Sequence, residues 1–309
     1  MQGLKDWKDG TMTAQKNWSR RDLFRGTLLA GGALAVPGLL AACSKTPDPG
    51  AGDTLDRVKK AGKIKVGFAA EAPYGFEQDG KLAGEAPAIA AEVYKALGIG
   101  EMEGVLVEFG QLIPALNSAQ FDVVAAGMFI TPERCGQAIF AEPEYISTAG
   151  LLVPKGNPKG LTDYKSAADA GIKLAVMSGA AEAANAQDAG VTEDNLVTVD
   201  KQPDGLAAIL SGDADAFTLT TPSLRWIAKD SADVEVTEGF IPTLKGVPQT
   251  GAGAAVFRPA DTSLRDAFNA ELAKLKGDAA RYLALIEPFG FTQAEVPPAD
   301  LTTAELCKG

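Results

Sequence analysis

The sequence contains no histidine. That absence excludes Ser-His-Asp and Cys-His catalytic arrangements and every His-ligated zinc site. Cysteine is scarce. Cys43, Cys135 and Cys307 are too few and too scattered for a four-cysteine zinc site or an iron–sulfur cluster. No metal and no cofactor are therefore expected. Positive charge is in deficit, with 29 Lys plus Arg against 40 Asp plus Glu and a formal net charge of −11. An anionic chain lacks the clustered cations that phosphate backbones require, so no nucleic-acid partner is expected. The apolar run from Thr27 to Ala42 has sixteen residues, interrupted by Gly31, Gly32 and Pro37. It is short for a membrane span, which needs about 20.

The 309 residues, 46% of them apolar, suffice for a sizeable core and for two domains or lobes. Residues 1–42 have the layout of an export signal: a cationic stretch, an apolar stretch, then small residues. Ser19-Arg20-Arg21-Asp22-Leu23-Phe24 carries the arginine pair of a twin-arginine signal, and Leu40-Ala41-Ala42-Cys43 resembles a bacterial lipobox. The expectation is a signal over 1–42, lipidation of Cys43, and a Pro/Gly-rich tether over 43–53. The protein would then be extracytoplasmic, held at the outer face of the cell membrane by lipid. Loss of 1–42 leaves 23 cations and 37 acids, net −14, which keeps the body off an anionic lipid surface. Cys135 and Cys307 then remain as a disulfide pair or as two separate thiols.

Beyond the tether, short β-branched runs alternate with helical patterns. Lys63 to Phe68, Val105 to Phe109 and Phe121 to Ala126 read as strands, Pro87 to Leu97 and Leu112 to Ser118 as helices. A second set follows, with strands at Lys173 to Val176, Leu196 to Val199 and Ala214 to Leu219 and helices ending near Ala189 and Ser211. Gly253 to Phe257 and the helix Leu264 to Leu275 complete the pattern. Repeated βαβ spacing predicts α/β architecture with mostly parallel sheets. Residues 54–150 plus 250–309 are expected to form one lobe and 151–249 an inserted second one, with two chain crossings acting as a hinge.

The order Ala72-Pro73-Tyr74-Gly75-Phe76, Gly84-Glu85, Phe109, Leu112 to Leu116, Phe121-Asp122 and Ile130-Thr131-Pro132-Glu133-Arg134 resembles the polar amino-acid class of ABC-importer solute-binding proteins. Within that class, Glu71 to Gly75, Gly84 to Pro87, Ala125 to Cys135, Leu174 to Ala180, Pro288 to Phe291 and Thr302 to Cys307 are most similar to ectoine/hydroxyectoine-binding proteins. The resemblance implies the type II periplasmic-binding-protein fold, with two lobes clamping a small zwitterion. It implies a binding protein without catalysis, a monomer, and an ABC permease in the membrane as partner.

By that resemblance Arg134 grips the ligand carboxylate, and the backbone of Ser178, Gly179 and Ala180 takes its other side. Tyr74 and Phe109 take the ligand-stacking positions, and Phe129 adds a third aromatic face for a delocalised cation. Gly127 lies on the same stretch as Phe129. Glu71 ends a strand where a carboxylate can meet cationic N–H groups. One departure bears on the ligand. Binders of α-amino acids place an Asp five residues beyond the position of Asp215, and here Thr220 stands there. An α-ammonium loses its strongest partner, whereas the amidinium of ectoine suits an aromatic cage with Glu71. The alternatives are a polar amino acid or betaine in the same fold, and a prephenate-type dehydratase with Glu71 as its acid. The sequence offers no second acid–base group for the latter.

Overall fold

The computed structural model describes residues 53–308. The export signal, the arginine pair, Cys43 and the tether up to residue 52 lie outside the described residues.

Two β-sheets organise the chain. The first runs in the order Glu101–Leu106, Lys63–Phe68, Val123–Phe129, Gly251–Phe257, Ile139–Phe140, and Tyr145–Ser147 also pairs with Gly251–Phe257. Its first three strands are parallel, and Gly251–Phe257 joins antiparallel. The second runs in the order Leu196–Val199, Leu174–Met177, Ala216–Thr220, Ala149–Pro154, Val234–Val236. Here too three parallel strands meet an antiparallel one, Ala149–Pro154. Leu152 to Phe217 and Thr218 to Leu151 fix its register.

Helices fill the crossovers that parallel strands require. Glu85–Ala96 and Leu112–Asn117 serve the first sheet, and Glu182–Asp188 and Gln202–Ser211 the second. Val123–Phe129 is buried along nearly its whole length because strands flank it on both sides. A central strand covered on both faces reads as a continuous apolar run, as Val123 to Ala126 does. The edge strand Glu101–Leu106 instead mixes exposed and half-buried residues, and Lys63 salt-bridges Glu101 and Glu103 along it.

That edge strand corrects one expectation. Its pairing with Lys63–Phe68 ends at Leu106, so Phe109 leaves the sheet and opens the short 3-10 turn Phe109–Gln111. Local β-propensity extended the strand to Phe109; register with the neighbour ends it three residues earlier.

The chain passes from the first sheet to the second across Thr148, between Tyr145–Ser147 and Ala149–Pro154. It returns after Val234–Val236 through the hairpin Thr243–Leu244 and Val247–Pro248, and re-enters the first sheet at Gly251. This is the two-lobed α/β fold of type II periplasmic-binding proteins. Cys135 and Cys307 are joined by a disulfide, with Cα atoms 5.7 Å apart, which ties the C-terminal Thr303–Leu306 helix to the Pro132–Cys135 turn.

Candidate ligand site between the lobes

A small cavity lies between the two sheets. Glu71, Phe109, Gly127, Phe129 and Arg134 line it from the first lobe, and Met177, Ala180, Ala181, Glu182, Leu219 and Thr220 from the second. Both lobes present the ends of strands, where backbone leaves the ladder and side chains are free to converge.

Arg134 is placed by a compact device. Thr131 caps the helix Pro132–Cys135, its hydroxyl accepting the Arg134 N–H, and Pro132 supplies the fixed φ of the first helical position. The guanidinium donates from Nη1 to the Phe129 carbonyl at 2.9 Å and from Nη2 to the Gly179 carbonyl at 3.0 Å. Its Cζ lies 5.4 Å from the centroid of the Phe109 ring. Two of five N–H groups are thus used, one on each lobe, and the rest remain for a ligand. Burial pulls the guanidinium pKa down, and the attraction of Glu182 opposes this.

Glu71 faces the same space. It is 5% exposed, and Ser223 of the second lobe donates its hydroxyl to Oε1. Burial raises its pKa to about 8; the Ser223 bond and Arg134 oppose this and the nearby Glu182 carboxyl adds to it. At neutral pH the free site therefore holds Glu71 mostly protonated.

Glu182 escaped the sequence reading. It starts the helix Glu182–Asp188, is 5% exposed, and burial raises its pKa as well. An acid in the first turn of a helix that follows a buried strand was the available signal, but an Ala-rich stretch masked it. Glu71 and Glu182 thus put two carboxyl groups on one cavity, where only Glu71 was expected.

Tyr74 does not line the cavity wall. Its ring packs on Tyr145, with centroids 4.6 Å apart, and edge-on to Phe291 at 5.4 Å. Its hydroxyl donates to Thr220 Oγ1 at 3.0 Å. The seat for the ring is Gly127, where a Cβ would come within 2.3 Å of Tyr74. Thr220 also caps the helix Thr221–Ala228, its hydroxyl accepting the Ser223 N–H.

The Ser178-Gly179-Ala180 expectation needs correction. The helix begins only at Glu182, and the Ser178 and Ala180 amides already donate to the carbonyls of Val199 and Met177. Ser178 lines no part of the cavity; Ala180 does; Gly179 offers its carbonyl to Arg134. The turn prefers backbone partners of its own because the strand Leu174–Met177 carries its ladder one residue further, to Val199.

Among the described residues, no group of three or more His, Cys, Asp or Glu is placed to hold a metal. Among them, too, no helix is long and apolar enough to cross a membrane.

Comparison with known proteins agrees with this architecture. Residues 64–286 match the family of bacterial extracellular solute-binding proteins, family 3. A probable amino-acid ABC transporter periplasmic-binding protein, y4tE of Sinorhizobium fredii, is 34% identical over 82% of this chain and 86% of its own length. The crystal structure of EhuB in complex with hydroxyectoine superposes with a TM-score of 0.74 at 32% identity, covering 82% of this chain and 98% of that one. An ancestral amino acid-binding protein, AncCDT-1, described as a precursor of cyclohexadienyl dehydratase, gives a TM-score of 0.66 at 27% identity over 76% of this chain and 99% of its own. A two-lobed fold with a half-buried guanidinium in the cleft is that of a solute-binding protein. This chain belongs to the bacterial extracellular solute-binding proteins, family 3, the polar amino-acid class that serves ABC importers.

Proposed function

We propose that this protein captures ectoine or hydroxyectoine between its lobes and hands it to an ABC permease without chemical change. The observation that carries the reading is one cavity shared by Arg134, the Phe109 and Phe129 rings, and Glu71. Ectoine is a small ring with a carboxylate on one side and a delocalised amidinium on the other. A guanidinium suits the first by parallel charge-assisted hydrogen bonds. Aromatic faces suit the second, each contributing about 0.5–2 kcal/mol according to desolvation. Glu71, and Glu182 across the cavity, supply acceptors for the ring N–H groups. Thr220 stands where binders of α-amino acids carry an acid, and its oxygen already accepts from Tyr74 and Ser223. The hydroxyectoine complex of EhuB, 32% identical, supports the same choice.

The lobe limits 54–150 plus 250–309 and 151–249, the monomeric state, export by the twin-arginine route and the lipid anchor at Cys43 belong to this proposal. They would place the closed protein beside its permease on the outer membrane face, with only the soluble body moving.

The test is calorimetry and thermal shift of the mature domain against ectoine, hydroxyectoine, glycine betaine, arginine, glutamine and histidine. A ligand at 100 times its Kd stabilises by about 2.7 kcal/mol. Micromolar affinity, about −8 kcal/mol, is expected for ectoine or hydroxyectoine. Tighter binding of an α-amino acid than of either overturns the ligand assignment, and turnover of prephenate overturns the non-catalytic one.

A further inference from the structure

Three hydrogen bonds between the lobes involve side chains on the cavity wall: Arg134 with Gly179, Glu71 with Ser223, Thr220 with Tyr74. One strong set does not. Gln202 opens the helix Gln202–Ser211 of the second lobe, is 3% exposed, and is not among the residues that line the ligand cavity. Its Oε1 accepts the Ala72 N–H at 3.2 Å, and its Nε2 donates to the Ala72 carbonyl and, at 3.1 Å, to the Ser223 carbonyl.

The side chain amide therefore pairs with both backbone groups of one residue on the opposite lobe, as a strand neighbour would. Ala72 directly follows Glu71 in the chain, and Ser223 is the residue that donates to Glu71. Gln202 thus holds the Glu71 segment of one lobe and the Ser223 turn of the other in a single grip. Beside this seam Phe76 packs on Trp226 with centroids 5.4 Å apart, and Arg225 reaches Glu295 at 3.7 Å.

We propose that Gln202 is a positioning residue that latches the closed lobes and sets ligand affinity without touching the ligand. A ligand that needs the closed form binds with its intrinsic affinity scaled by the fraction of protein already closed. Each hydrogen bond of the latch biases that fraction. Opening the cleft exchanges these bonds for bonds to water, so their net effect is modest individually and appreciable together. Loss of the latch is expected to weaken binding roughly tenfold or more, in the off-rate rather than the on-rate.

Gln202→Glu tests this with a built-in reversal. A protonated carboxyl keeps one donor and one acceptor in the shape of the amide. An ionised one has acceptors only, and would face the carbonyls of Ala72 and Ser223. Ectoine affinity is measured for Q202E and the unmodified protein at pH 5 and pH 8, with small-angle scattering of both proteins free of ligand. The expected result is a gap of about tenfold or more at pH 8 that closes to within about threefold at pH 5, and a more open Q202E only at the higher pH. A gap that does not change with pH, or no gap, overturns the latch. The affinity arm rests on the ectoine reading; if the unmodified protein ignores ectoine, that reading fails and scattering alone decides on the latch. If Q202E does not melt cooperatively, Gln202→Asn, one methylene short of Ala72, replaces it, and scattering indistinguishable from the unmodified protein is the overturning result.

Discussion

The guanidinium of Arg134 lies over the ring of Phe109, Cζ to centroid 5.4 Å, while its N–H groups bridge carbonyls of both lobes. One residue is thus stacked, tied to Phe129, and tied across the cleft to Gly179. A lysine keeps the charge but has neither the planar fork nor the stacking face. Arg134→Lys is expected to weaken ligand binding by at least about thirtyfold, and Arg134→Ala by more, since truncating one partner of a charge pair that the seated ligand desolvates costs about 2–5 kcal/mol. Calorimetry on both variants checks this; affinity within threefold of the unmodified protein for Arg134→Lys removes the bidentate role.

Glu71 gives binding a pH dependence of defined sign. Its pKa in the free cavity is raised to about 8 by burial. A ligand cation beside it favours the ionised form, so binding expels a proton wherever the free site is still protonated. Affinity is expected to tighten as pH rises from 5 to about 8, by up to tenfold per unit, and to level off above. Calorimetry in two buffers of different ionisation enthalpy counts the proton directly. Proton uptake on binding at pH 7 contradicts the role assigned to Glu71, and Glu71→Gln should abolish the release.

A second carboxyl pair sits away from the cavity, in the first lobe. Glu85 and Glu144 are 0% and 1% exposed; burial raises the Glu144 pKa to about 8 against the Ala255 amide and Lys276, and burial, with repulsion from Glu144, drives that of Glu85 well up. Among the described residues only the Ala255 amide, at 3.2 Å, donates to the Glu144 carboxyl, and both Glu85 carboxyl oxygens lack a partner. A carboxyl whose folded pKa exceeds its unfolded value near 4.5 contributes stability that is fully present below that value. For Glu144 the contribution fades as pH rises to about 8, at up to about 1.4 kcal/mol per unit, and Glu85 acts in the same direction. Unfolding by denaturant is therefore expected to show stability falling between pH 5 and 8. Glu144→Gln should flatten that slope, and an unchanged slope excludes the pair as its source.

Much of the fold was legible because its signals are local. Buried parallel strands such as Val123–Phe129 and Leu174–Met177 are apolar runs bounded by turn residues, and the helix Thr262–Gly277 carries strong apolar periodicity. Glu71, Phe109, Phe129, Arg134 and Thr220, which the family resemblance assigns to one site, line one cavity. What was not legible depends on register and on contacts between distant segments. Nothing near Tyr74 tells that Gly127, 53 residues on, provides a seat that turns the ring toward Tyr145. Gln202 meets Ala72 across 130 residues, and no spacing announces an amide that pairs with backbone. Ser178 and Ala180 read as open amides because the start of a helix is poorly defined in an Ala-rich stretch; the strand ladder and turn claim them instead.

Closure itself is exposed to test at Gly179. Its φ of +75° lies in the left-handed region, and a Cβ there would approach the Gly110 Cα of the opposite lobe to 2.4 Å. That contact is backbone against backbone, so no side chain can swing aside. The nearest relief is for the lobes to part. Gly179→Ala is expected to weaken ligand binding tenfold or more, through a closed state no longer fully reached, and to lower stability by only about 1 kcal/mol from the strained φ. Trp226, packed on Phe76 of the other lobe, reports the motion, since it is the only tryptophan among the described residues. In the unmodified protein its emission should shift on ligand addition, and in Gly179→Ala the shift should be smaller at saturating ligand. A full shift with undiminished affinity would mean that the 110 and 179 segments separate without cost, and that closure does not require the contact between them.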